Sequence, residues 1–322
     1  MTASPRAMLR FGSFHGRLES ARQEYTDALA LVFGVGLHPL TPEQEASRHF
    51  DLIIADAPTL LVSDAAAVRP NYLQLGGTPD CPVITTDALR AELRLGRQPV
   101  DIQLTVLRGD VPFSELCVHF GVMVHKMLFH LDRVILHAAA VQVDGGVCIF
   151  VGDKGAGKST TCLALATAGG TVLGEDSVIL RRSGGRYLVS GGDERSRVTE
   201  RTERHFFAAP LAVQARDFAG TMKKEIRMGD YFRSAPFQDF PPHRLVFPRV
   251  TGQFQLRPLK AQPALLKLIA YNGHFQRFEG ARDQAEFLDF LAGFIATVSC
   301  WELTLSDDLT ELDLLARQLR GA

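Results

Sequence analysis

Gly152-Asp153-Lys154-Gly155-Ala156-Gly157-Lys158-Ser159 stands between an apolar run, Val147-Cys148-Ile149-Phe150-Val151, and a helix-like run over residues 159–168. The octapeptide fits G-x-x-x-x-G-K-[ST] at every fixed position, and a strand before it and a helix after it are the context the pattern requires. The pattern answers a demand for many hydrogen-bond donors in a small space. Gly152, Gly155 and Gly157 let the backbone wrap closely enough for successive amides to point inward, and the following helix adds its positive N-terminal end. The candidate binding residues are therefore Gly152, Asp153, Lys154, Gly155, Ala156, Gly157, Lys158, Ser159 and Thr160. Lys158 would reach the β- and γ-phosphates of ATP, and the Ser159 hydroxyl would help hold Mg2+.

Immediately upstream, residues 134–143 read as a strand, Asp144-Gly145-Gly146 as a turn, and 147–151 as the returning strand of a hairpin, for which D-G is a strong signal. Downstream, Gly169-Gly170 ends the helix as a left-handed cap. The next strand, 171–174, delivers Glu175-Asp176 at its end, and a further apolar run covers 178–180. Two carboxylates after a phosphate loop suit a kinase twice over. One, Glu175, would anchor the metal directly or through water, and the other would take a proton from an attacking hydroxyl.

With these residues in hand, the chain resembles the C-terminal catalytic domain of HPr kinase/phosphorylase and its related P-loop kinases, whose core is similar to phosphoenolpyruvate carboxykinase. Three elements carry the resemblance in order: Leu136-His137-Ala138, the loop 152–159, and Glu175-Asp176. It implies an α/β fold: a P-loop kinase domain with a mixed sheet over residues 112–322, preceded by a small N-terminal α/β domain over 1–111. It also implies that Lys158 and Ser159 serve nucleotide and Mg2+, that Asp176 is the general base, and that His137 sits beside the transferred phosphate. Family members assemble as ring oligomers, so a homo-oligomer is implied as well. Two departures mark a relative rather than the enzyme itself. The family's aspartate pair is Glu175-Asp176 here, and its downstream E-x-R-G-x-G-like stretch is replaced by a charged run over 191–204 that reads as a solvated loop.

Phosphoryl transfer also wants a cation at the transferred group, and Arg195, Arg197, Lys223, Lys224 and Arg227 are the candidates. Beyond them, strands are expected at 244–249, 254–256 and 301–305 and helices at 264–270, 285–297 and 309–319, as completion of the sheet and core.

The N-terminal region shows a helical apolar spacing over 19–33 stopped by Gly34 and Gly36, and strands at 51–55, 60–62, 83–86 and 101–107. It carries no chemical constellation; His15, His38 and His49 read as surface or structural residues, and the region is the place for acceptor recognition or oligomer contacts. A strongly apolar helix over 113–131 carries His119, His125 and His130 at spacings unsuited to zinc, and the domain boundary falls just before it, at 109–112. The five cysteines are widely spaced and unpaired in pattern, as reduced core thiols are.

A formal net charge of -1 gives no basic excess for nucleic acid. No run approaches the ~18 apolar residues of a membrane span. A cytoplasmic protein with neither nucleic-acid nor membrane partners is expected. The function read from these residues is an ATP- and Mg2+-dependent kinase acting on a hydroxyl of a small protein, a peptide or a metabolite. Two readings stay open beside it: a phosphoenolpyruvate-carboxykinase-like enzyme, and a sensor or scaffold that holds nucleotide without transferring phosphate.

Overall fold

The computed structural model describes residues 6–11, 14–33, 41–56, 74–108, 113–192, 194–217, 220–272, 281–306 and 308–321. Gly34, Gly36, His38, the strand expected at 60–62 and the boundary stretch 109–112 lie outside them. The chain divides into two compact units, Met1–Arg133 and Val134–Ala322.

The first unit runs β1 (Arg6–Phe11), β2 (Phe14–Ser20), α1 (Gln23–Phe33), α2 (Pro42–Ala46), β3 (Phe50–Asp56), β4 (Gln74–Thr78), β5 (Cys81–Thr85), β6 (Leu89–Arg94), β7 (Val100–Val106) and α3 (Phe113–His130). Its strands form one mixed sheet in the order β1-β2-β3-β7-β6-β5-β4. In it β2, β3 and β7 run parallel, and the remaining pairs are antiparallel. β2 and β7 alternate buried and half-buried positions, the period of a strand with one covered face. Glu19 and Ser20 belong to β2, so α1 begins four residues later than its apolar spacing suggested. α3 packs on β6 and β7, and the compact units divide after this helix rather than before it. His15 and His49 stand edge to face, with His15 Nε2 3.2 Å from the Gln44 carbonyl, a structural pair.

The second unit runs β8 (Arg133–Leu136), β9 (Ala138–Val143), β10 (Gly146–Val151), α4 (Lys158–Thr167), β11 (Thr171–Gly174), β12 (Val178–Ser183), β13 (Arg186–Gly191), β14 (Arg195–Val198), α5 (Glu200–Phe206), β15 (Arg216–Asp217), β16 (Met222–Arg227), β17 (Pro242–Val250), β18 (Gln255–Pro258), α6 (Ala261–Asn272), α7 (Ala281–Ile295), β19 (Ser299–Leu305) and α8 (Leu312–Gly321). The main sheet has the order β11-β9-β10-β17-β19-β18, with smaller sheets β13-β12-β8 and β14-β16-β15. β10 is antiparallel to β9 and parallel to β17, so this sheet too is mixed. The β9–β10 hairpin turns through Asp144 and Gly145, both at positive φ (48° and 85°), the backbone a two-residue primed turn needs.

All six residues of β10 are buried, and α4 is buried nearly all round, through Thr161, Cys162, Leu163, Ala164, Leu165 and Ala166. α4 and the apolar face of α8 (Leu312, Leu315, Leu319) share a core with Val141, Phe150, Val246 and Leu303 of the sheet. Gly169 takes φ 94° and Gly170 N–H donates to Leu165 O at 2.9 Å, closing α4 as its Gly-Gly sequence foretold. The strand expected over 134–143 is broken at His137: β8 belongs to one sheet and β9 to another. The charged run 191–204 is not a solvated loop but contains β14 and the start of α5, capped by Thr199 accepting from Thr202 N–H. No helix among the described residues is long and apolar enough to cross a membrane.

Candidate functional site

The site is built where β10 hands the chain to α4. Gly155 and Gly157 hold φ of 83° and 98°, a region costly to any residue with a side chain. Gly152 is hemmed in: a Cβ there would lie 3.0 Å from Ala156 Cβ and 3.3 Å from Pro248 O. At Gly157 a Cβ would come within 2.6 Å of Leu305 Cδ1, so the loop is seated on the end of β19. No side chain caps α4, whose N-cap is Gly157, so its first N–H groups lack the usual hydroxyl or carboxylate partner.

Lys158 is 7% exposed, and its Nζ donates to the loop's own carbonyls, Gly152 O at 2.7 Å and Asp153 O at 3.0 Å. Burial lowers its pKa, Lys223 adds to that, and Asp176, Asp153 and Glu175 oppose it. The carboxylates keep the ammonium charged, and a desolvated ammonium favours an anionic ligand.

The acidic turn follows β11. Glu175 is 2% exposed, with Ser196 Oγ donating to its Oε2 and its Oε1 without a partner. Full burial pushes its pKa up to about 8, with Asp176 adding and the nearby Ser159 hydroxyl and Lys223 opposing. Asp176 takes φ 68°, left-handed for a residue with a side chain. The turn lies against Gly191 and Gly192, where a Cβ would clash with Leu173 O and Ser177 Oγ, and Gly192 N–H donates to Ser177 O at 2.9 Å. Asp176 Oδ2 meets Arg197 Nη1 at 3.3 Å, while Arg197 Nε and Arg195 Nη1 each reach Glu225 at 3.3 Å.

His137 occupies the break between β8 and β9. Its backbone N–H donates to Asn272 Oδ1 at 2.7 Å, and its Nδ1 lies 3.1 Å from the Asp176 carbonyl. A carbonyl only accepts, so in this contact Nδ1 carries a proton and donates.

These residues converge on a cleft of about 680 Å³. Lys154, Gly155, Gly157, Lys158, Ser159 and Thr160 line it from the loop, and His137, Asp176, Arg197 and Lys223 line it from other segments. Gly152, Asp153, Ala156 and Glu175 do not line it; Glu175 is buried behind the acidic turn. Val250, Leu305, Leu309 and Leu312 give it apolar lining, with Ser306, Asp308 and Glu311. Sequence reading missed that lining, as well as Ser196 and Asn272. None of them carries a local motif, and Asn272 lies 135 residues from its partner.

Among the described residues no three His, Cys, Asp or Glu side chains gather as a metal site. Mg2+ does not need such a cage, since it keeps several waters and binds through one or two protein oxygens plus substrate phosphates. Of the two oxygens the sequence offers, the Ser159 hydroxyl lines the cleft and fits that requirement, whereas Glu175 lies behind the cleft wall.

No protein-family model matches the chain, and no curated protein matches it. Among solved structures, the HPr(Ser) kinase/phosphatase from Coxiella burnetii is similar over 58% of this chain and 94% of its own, at 12% identity and a TM-score of 0.31. A likeness of that size carries no argument about this chain, which is an α/β protein with mixed sheets whose chemistry rests on its own cleft.

Proposed function

We propose that the protein is a kinase that binds ATP with Mg2+ in this cleft and transfers the γ-phosphoryl group to a hydroxyl acceptor. The observation that supports this reading is the meeting of Lys158, Ser159, Asp176 and His137 on one cleft, from three separate segments of chain. The glycine loop and Lys158 hold the phosphates, and the apolar wall at Leu305 and Leu309 takes the base. Ser159 would hold Mg2+, with Glu175 behind it, and the ion would neutralise charge on the phosphate oxygens.

The chain's own groups then move the proton. The acceptor O–H gives its proton to the Asp176 carboxylate while its oxygen forms the new bond to phosphorus. The bond from that phosphorus to the bridging oxygen breaks, and ADP leaves with the electron pair. Arg197 fixes the direction of the Asp176 carboxylate, and the His137 ring, anchored on the Asp176 carbonyl, stands beside the reacting centre. Positioning and electrostatics supply most of the rate in such a reaction.

Transfer from γ-labelled ATP with Mg2+ into a host-cell extract, split into protein, peptide and small-molecule fractions, tests this. Wild type should label one fraction, EDTA should abolish the label, and Asp176→Asn should lower it by roughly 10²- to 10⁴-fold with nucleotide still bound. An Asp176→Asn variant that transfers at near wild-type rate would remove Asp176 from the role of base. The engagement of the Asp176 carboxylate by Arg197 favours one other reading, a nucleotide-binding sensor. Tight ATP binding with no label in any fraction is its signature.

A further inference from the structure

Of the five cations the sequence offers for the transferred phosphate, four are engaged. Arg195 and Arg197 share Glu225, and Arg197 also holds Asp176. Lys224 Nζ donates to buried Glu203 at 2.8 Å and to Leu211 O at 2.9 Å, a satisfied structural pair. Arg227 is 60% exposed and stands 3.7 Å from Glu194. Lys223 is the one of the five whose side chain has neither an ion pair nor a hydrogen bond among the described residues.

Its position is as telling as its lack of a partner. Lys223 and Lys224 are neighbours on β16, and of the two only Lys224 pairs with Glu203. Lys223 is half-buried, and it lines both the cleft and an adjoining open cavity of about 500 Å³ beside α5. Its charge reaches the site, depressing the Lys158 pKa and holding down that of Glu175. Two ammonium groups on one cleft, one without a counter-ion, repel each other unless an anion of more than one charge lies between them.

We propose that Lys223 is a catalytic residue that binds the terminal phosphate of ATP and stays on that group as it is transferred, approached from the side of the second cavity. This rests on the kinase reading above. It assigns Lys223 the role of neutralising charge on the transferred group, where a cation is worth most in the transition state.

Calorimetric titration with MgATP and MgADP separates this from a merely structural role. In the Lys223→Met variant, ATP binding should weaken by about tenfold or more while ADP binding stays within about twofold, because only ATP presents the terminal phosphate. Lys223→Arg should keep most of the ATP preference, and Arg227→Met should match wild type. Unchanged melting temperatures certify the fold, since Lys223→Met strips no partner. Equal losses for ATP and ADP, or no loss, would overturn the assignment and leave the kinase reading intact. A wild type that binds neither nucleotide overturns both.

Discussion

Glu175 is the residue whose burial makes the sharpest prediction. Its pKa of about 8 in the folded protein stands well above the 4.5 of an exposed glutamate. The native state therefore holds a proton that the unfolded chain releases between these values. The stability contributed by this group is full below pH 4.5, falls as pH rises to about 8, and is flat beyond, by on the order of 4–5 kcal/mol at most. Glu175→Gln keeps the shape without the charge. In urea unfolding without metal it should gain several kcal/mol on wild type at pH 8.5 and little at pH 4.5; equal effects at both pH values would show that the glutamate is not held protonated. Two glycines of the loop make a second test at this scale. Gly157→Ala meets both a forbidden φ and Leu305, and should cost about 1–3 kcal/mol and weaken nucleotide binding. Gly155→Ala shares the φ but has open space around it, so its cost should be the smaller of the two by urea titration.

At the scale of elements, the break between β8 and β9 matters most. An unbroken strand over 134–143 would keep His137 within one ladder, whereas the switch from one sheet to the other frees its N–H for Asn272 at the end of α6. Asn272 is 1% exposed and donates in turn to Leu268 O, so it is fixed by its own helix. Asn272→Ala strands a backbone donor and should cost about 1–3 kcal/mol. The expected kinetic signature is a fall in phosphoryl transfer with ATP affinity kept, measured by label transfer against calorimetry. Likewise β14 brings Ser196 and Arg197 to the two carboxylates of the acidic turn, which makes a short strand part of the site.

Over the whole molecule, two compact units should unfold as two transitions. The cleft lies wholly in the second, among residues 137–312. Scanning calorimetry with MgATP should move one transition upward and leave the other in place, since a ligand at about 100 times its dissociation constant adds about 2.7 kcal/mol only to the unit that binds it. A shift of both together would show that the units unfold as one.

The loop 152–159, the hairpin before it, the Gly-Gly stop of α4 and the acidic pair were legible in the sequence because each depends on residues a few positions apart: glycine φ, turn chemistry and strand period. The α/β class followed from the same local signals. The placement of Glu175 behind the cleft wall, the splitting of β8 from β9, the packing of α3 with the first unit and the conversion of a charged run into β14 and α5 were decided by tertiary structure. So was the pairing of every candidate cation except Lys223. The physical reason is that burial and ion pairing depend on which distant segments meet, and no periodicity within Ser196–Arg197 or around Asn272 records the partner that each finds.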